Sequence, residues 1–161
     1  MIRIAGIESE SIVDGVGIRY VVFTQGCPHH CLGCQNIETW DPIKGSDKDT
    51  RDIVKEFTSN ACALIDGITL SGGEPFEQPD ACLVLARAAK EHGLTVWCYT
   101  GYVYEELLSA MNPAVHELLK NIDVLVDGRF IQEMKSLNIG FRGSTNQRIL
   151  HLKDGKIEWS E

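Results

Sequence analysis

At 161 residues, 43% hydrophobic and 24% charged, the chain has the size and make-up of one ordinary globular domain. No apolar run approaches the roughly 20 residues of a membrane helix, so neither a disordered nor a membrane-spanning chain is expected. Its formal net charge of −8 is spread along the sequence and opposes phosphate neutralisation, so neither nucleic acid nor a membrane is an expected partner.

The N-terminal stretch MIRIAGIESES lacks the basic run, apolar block and cleavage site of a secretory signal, which points to the cytoplasm. Thiols stay reduced there, so the six cysteines read as metal ligands or buried thiols rather than as disulfides.

Residues 18–24 are β-branched and aromatic with glycines on either side, which predicts a strand; a cysteine-rich loop begins just past its end. Residues 41–49, rich in proline, glycine and charge, read as a surface loop. A helix over 49–60 and a strand over 67–71 follow. Residues 79–92 suit a helix opened by Pro79 and closed at Gly93. Residues 94–100 form a third strand, 104–120 a helical stretch broken at Asn112-Pro113, and 122–127 a fourth strand. Finally, 147–152 and 156–159 flank Lys153-Asp154-Gly155, the signal of a hairpin turn. Strands alternating with helices imply an α/β fold with a parallel sheet and right-handed crossovers. Each chemically loaded segment (26–36, 71–75, 100–102, 127–130) follows the C-terminal end of a strand, where such sheets bind ligands.

Cys27-Pro28-His29-His30-Cys31-Leu32-Gly33-Cys34 is a C-x3-C-x2-C run. On a helix the thiols would share a face, but Gly26, Pro28 and Gly33 favour a compact loop. Three thiolates with His29 or His30 would complete a tetrahedral zinc site, although a second paired-ligand motif is missing. A [4Fe-4S] cubane held by three cysteines would instead leave one iron open to an exogenous chelating ligand. Cys62, Cys82 and Cys98 are isolated and read as buried small hydrophobes, while His92, His116 and His151 read as structural.

In Ser71-Gly72-Gly73-Glu74-Pro75 the two glycines let backbone approach a ligand, and Glu74 can meet an ammonium group. Beside the cysteine loop, this segment resembles the Gly-Gly-Glu motif of the radical S-adenosylmethionine superfamily, whose hallmark is C-x3-C-x2-C. Gly33 stands where many members carry an aromatic residue, a departure also found in the small activating enzymes of anaerobic ribonucleotide reductase. Asp14-Gly15-Val16-Gly17-Ile18-Arg19, Trp97-Cys98-Tyr99-Thr100-Gly101-Tyr102, Val126-Asp127-Gly128-Arg129-Phe130 and Arg142-Gly143-Ser144-Thr145-Asn146-Gln147 are similar to that family as well. Val16 replaces the family's usual proline.

The resemblance implies a single domain spanning 1–161, folded as an incomplete (β/α) barrel of the radical S-adenosylmethionine type with about four βα units and a C-terminal β-hairpin. It implies a [4Fe-4S] cluster on Cys27, Cys31 and Cys34, with Gly33, Cys34, Gln35, Gly72, Gly73, Glu74 and Thr100 positioning S-adenosylmethionine. The implied substrate is a glycine on anaerobic ribonucleoside-triphosphate reductase, and the implied electron source is a one-electron donor such as flavodoxin or ferredoxin. A pyruvate formate-lyase type activase and a zinc- or cluster-bearing binding module are the alternatives. Arg129 and Arg142 would contact an acidic partner or a carboxylate. A chain this short leaves little to enclose a substrate, so a wide mouth is expected.

Overall fold

The computed structural model describes residues 1–59 and 64–161. Its elements in chain order are β1 (Ile2–Ser11), β2 (Arg19–Thr24), β3 (Ser46–Lys48), α1 (Thr50–Phe57), β4 (Gly67–Gly72) and α2 (Pro79–Glu91). They continue as β5 (Thr95–Tyr99), α3 (Tyr104–Leu108), α4 (Pro113–Lys120), β6 (Val124–Asp127), β7 (Arg148–Lys153) and β8 (Lys156–Ser160). Cys62 and Asn60 lie outside the described residues, and the helix expected over 49–60 ends at Phe57 with Thr58 as its cap.

The local signals act as their chemistry requires. Asp49 caps α1 by accepting from Arg51 N at 2.9 Å, satisfying one of the free N–H groups of a first turn. The expected break within 104–120 separates α3 from α4, because Asn112 caps a new helix whose first position is Pro113. Asp154 and Gly155 both take positive φ, 52° and 78°, as a two-residue hairpin turn of the favoured hand demands.

Among the described residues the strands form one eight-stranded mixed sheet in the order β3-β1-β2-β4-β5-β6-β7-β8. The pairings β2–β4, β4–β5 and β5–β6 are parallel; those that add β1 and β3 on one side and β7 and β8 on the other are antiparallel. The parallel sheet expected from strand–helix alternation is its centre, the expected hairpin is β7 and β8, and β1 and β3 extend the other edge. Strand β3 lies inside the expected surface loop over 41–49; all its residues are exposed, so no buried alternation marks it. It pairs with β1 over Ile2–Ile4, of which Ile2 and Ile4 are buried.

The four parallel strands neighbour each other in chain order, and right-handed crossovers all leading the same way put the connecting helices on one face. The main core reflects this: Tyr20, Val22, Ile68, Leu70, Val96, Cys98 and Leu125 pack with Ile53, Phe57, Leu85, Ala89 and Leu118 from the helices. The alternate residues face the other way, where Trp97, Val124, Val126 and Ile149 form a smaller cluster without helical members. No helix among the described residues is long and apolar enough to cross a membrane.

The segment joining β1 to β2 covers part of the helix-free face. Asp14 O accepts from Thr69 Oγ1 at 2.7 Å, and Gly15 packs on Trp97. Below it Arg19 is 1% exposed and donates to Val16 O, Ile68 O, Thr69 Oγ1, Thr95 Oγ1 and Thr95 O at 2.6–3.2 Å. Burial lowers its pKa to about 10. At Gly15, φ is +126° and an added Cβ would stand 2.8 Å from the Trp97 ring. Gly15→Ala should therefore cost about 1–3 kcal/mol, read as a lower urea midpoint; an unchanged midpoint would mean that this segment does not pack on the sheet as described.

Candidate active site

Past Thr24 the chain enters the cysteine loop, whose ends are tied together. Gly26 N donates to Thr39 O at 2.7 Å and Cys27 N to Trp40 O at 3.1 Å. The side chain of Gln25 clamps the same loop from below, reaching Glu38 O and Asp41 O at 2.8 Å each. Cys27, Cys31 and Cys34 are free and half-buried, and loss of hydration pushes the Cys27 thiol up to about 11 and raises that of Cys31. Cys82 and Cys98 are free and fully buried in the main core, where they serve as small hydrophobes.

All three loop cysteines line one cavity of about 160 Å³, shared with Ser71, Gly72, Gly73, Thr100 and Gly101 from the ends of β4 and β5. Asn36, Ser71 and Tyr99 also line a second cavity of about 390 Å³, together with Asp14, Gln35 and Arg142. Val13 and Leu137 border that second space and are 71% and 87% exposed, so it opens broadly to solvent.

The Gly72-Gly73-Glu74 turn is held against the start of the cysteine loop. Gly73 N donates to Thr24 O and Glu74 N to Gly26 O, both at 2.8 Å. A Cβ at Gly73 would stand 2.4 Å from Gly26 O, so this glycine is required by the approach of two loops of the chain itself, where the sequence suggested approach to a ligand. Glu74 is also held by contacts within the chain. Its side chain is fully buried, and its carboxylate accepts from Phe76 N, Thr100 Oγ1, Gly101 N and His29 Nε2 at 2.7–3.0 Å. No acceptor capacity is left for an ammonium group.

The other candidates divide. Gln35 faces the second cavity. Gly33, at φ +79°, sits on the exposed outer turn against Gln132, and Thr100 spends its hydroxyl on Glu74 and on accepting from Tyr102 N at 3.1 Å. Arg142 borders the second cavity with a buried Nε that has no partner among the described residues. Arg129 pairs with Glu106 at 3.2 Å on the surface. Asn36, Tyr99 and Gln147 fall within segments that the sequence marks but are not among the expected site residues; they line the cavities because the sheet brings distant loops together.

Residues 13–150 match the family described as a 4Fe-4S single cluster domain. The anaerobic ribonucleoside-triphosphate reductase-activating proteins of Salmonella typhi and Escherichia coli K12 are each 36% identical over 148 residues, covering 88% of this chain and 94% of theirs. The chain belongs to this family. The enterobacteria phage T4 protein of the same name is 34% identical, covering 89% of this chain and 90% of its own. Among solved structures, QueE from Escherichia coli aligns with 62% of this chain and 52% of its own at a TM-score of 0.44 and 20% identity.

The cysteine loop fits the donor set of an iron–sulfur cluster. Three thiols open on one cavity, and Cys34 Sγ accepts from Asn36 N at 3.4 Å, the kind of hydrogen bond that tunes cluster sulfurs. A single zinc ion needs donors converging on one point. His29 is committed to Glu74, while His30 is exposed and stacked on Trp40 at 4.7 Å. No three His, Cys, Asp or Glu side chains among the described residues are grouped to hold one ion. A cubane distributes its thiolates over separate irons and needs no such convergence. Gly73→Ala should displace the cysteine loop and lower the iron bound per chain after anaerobic reconstitution. Wild-type iron content in that variant would show that the contact with Gly26 does not control the loop.

Proposed function

We propose that this chain is the activating enzyme of anaerobic ribonucleoside-triphosphate reductase, binding a [4Fe-4S] cluster and S-adenosylmethionine to install a glycyl radical on the large reductase subunit. The observation that carries this reading is one cavity lined by the three thiols of a C-x3-C-x2-C loop and by a Gly-Gly turn, in a chain of this family. When bound, the cluster supplies the electron that splits S-adenosylmethionine into methionine and a 5′-deoxyadenosyl radical, which takes a hydrogen atom from a glycine Cα.

In this proposal Cys27, Cys31 and Cys34 would hold three irons as thiolates, their protons leaving as metal binds. Gly72 and Gly73 would shape the wall of the cavity that the three cysteines share. Gln35, with Asn36 and Tyr99, faces the second cavity, where the nucleoside part of the cofactor would lie. There Arg142 offers its unpartnered Nε–H to a carbonyl or hydroxyl oxygen. Gly33 supplies the positive φ of the outer turn, and Thr100 acts through Glu74. The exposed rim at Val13 and Leu137 suits a glycine delivered on a loop of another protein.

The sequential parallel strands, with their chemistry at the C-terminal ends, support an incomplete (β/α) barrel of the radical S-adenosylmethionine type acting as a single domain. A one-electron donor such as flavodoxin or ferredoxin in the cytoplasm would complete the system.

The test is anaerobic reconstitution, reduction in the presence of S-adenosylmethionine, and assay for 5′-deoxyadenosine and methionine. Cys27→Ala, Cys31→Ala and Cys34→Ala should each abolish cleavage. Adding the reductase should produce a glycine-centred paramagnetic signal. Cleavage without that signal would assign the chain to a different glycyl radical partner, and stoichiometric zinc without cleavage would overturn the radical chemistry.

A further inference from the structure

His29 stands between two of the three loop cysteines, yet its side chain is only 4% exposed, while its neighbours Pro28 and His30 face solvent. Three contacts account for this. Its Nε2 lies 2.7 Å from Glu74 Oε2, its ring meets Tyr102 edge-on at 4.5 Å between centroids, and Gly101 packs so closely that a Cβ there would stand 2.3 Å from it. Glu74 is meanwhile bonded to the backbone that follows β4 and to Thr100 and Gly101 after β5. One buried carboxylate thus joins the loops that follow three different strands.

We infer that His29 and Glu74 are a positioning pair: Glu74 lies behind the cysteine loop and sets, through His29, where Cys27 and Cys31 present their sulfurs, without touching the ammonium group of the cofactor. The inference rests on reading these cysteines as cluster ligands. A loop whose thiolates must each reach a different iron loses conformational freedom when the cluster binds, and a tie that holds it beforehand removes part of that cost. Hydrogen bonds to a buried charge are the stronger kind, and losing one donor leaves the carboxylate undersatisfied. Such a loss corresponds to roughly a tenfold change or more in the population of the ordered loop.

The test compares reconstituted wild type with His29→Leu, which removes the donor, His29→Gln, which keeps an amide N–H near the same place, Glu74→Gln, and the double variant H29L/E74Q. Three quantities are read: the rate at which a chelator strips iron, the S-adenosylmethionine dissociation constant from its effect on the reduced cluster's paramagnetic spectrum, and the melting midpoint of the apoprotein. Stripping should accelerate about tenfold or more in His29→Leu and Glu74→Gln. The double variant should be no worse than the poorer single variant, His29→Gln should stay near wild type, and cofactor affinity should change little in chains that retain the cluster.

Wild-type cluster retention in Glu74→Gln with cofactor binding weakened about tenfold, and no effect of His29→Leu, would overturn the inference and assign Glu74 to the ammonium group. Where His29→Leu melts too low to be reconstituted, the contrast between His29→Gln and Glu74→Gln decides, and equal stripping rates overturn the pair. Failure of the wild type to hold any cluster would overturn the proposed function itself, and the inference with it.

Discussion

Glu74 carries a carboxylate shut away from water, and such a group is tolerable only when donors replace its hydration. The four that do so are not local to one loop. One comes from the cysteine loop after β2, one from the turn after β4, and two from the loop after β5. These loops start level because the parallel register matches Thr24 with Gly72 and Leu70 with Cys98. The sheet therefore brings three strand ends together and the carboxylate joins them. Gly73 and Gly101 lack side chains where the loops press closest. The cysteine loop is thus part of a buried polar junction, and its conformation is coupled to the two strands beside it.

The order of the parallel strands determines where that junction can operate. Neighbouring strands in chain order, linked by crossovers of one hand, receive helices on one side only. A large apolar core forms there, and the opposite face keeps a small cluster around Trp97 together with polar groups such as Thr69 and Arg19. The segment carrying Asp14 and Gly15 lies across that face and forms part of the floor of the second cavity. Arg19 braces the same segment by donating to Val16 O. A glycine-rich segment beside a strand thereby becomes part of the cleft, a placement that depends on Trp97, far away in sequence.

Much of this was legible in the residues alone. The cysteine spacing, the glycines after the second parallel strand, the helix starting beside Asp49, the break at Asn112-Pro113 and the hairpin at Asp154-Gly155 all act through neighbours a few positions away, and all are found near their expected places. What escaped depends on distant partners. Strand β3 has no buried alternation because it is an exposed edge held by β1. The Glu74 carboxylate could be read as a cofactor contact because its chemistry suits an ammonium group as well as it suits an imidazole and two loop donors. His29 could be counted among zinc ligands for the same reason.

The sequence by itself determined the kind of chemistry and its rough location: three thiols on a short loop at a strand end, glycines at a second strand end, and the family to which that combination belongs. Local spacing suffices for this, because donor type and loop length are properties of a few consecutive residues. Only the tertiary structure decided which way Glu74 points, what His29 does and which residues line the second cavity. Those outcomes follow from burial, which obliges each polar group to find a partner, and the available partners lie on strands dozens of residues apart.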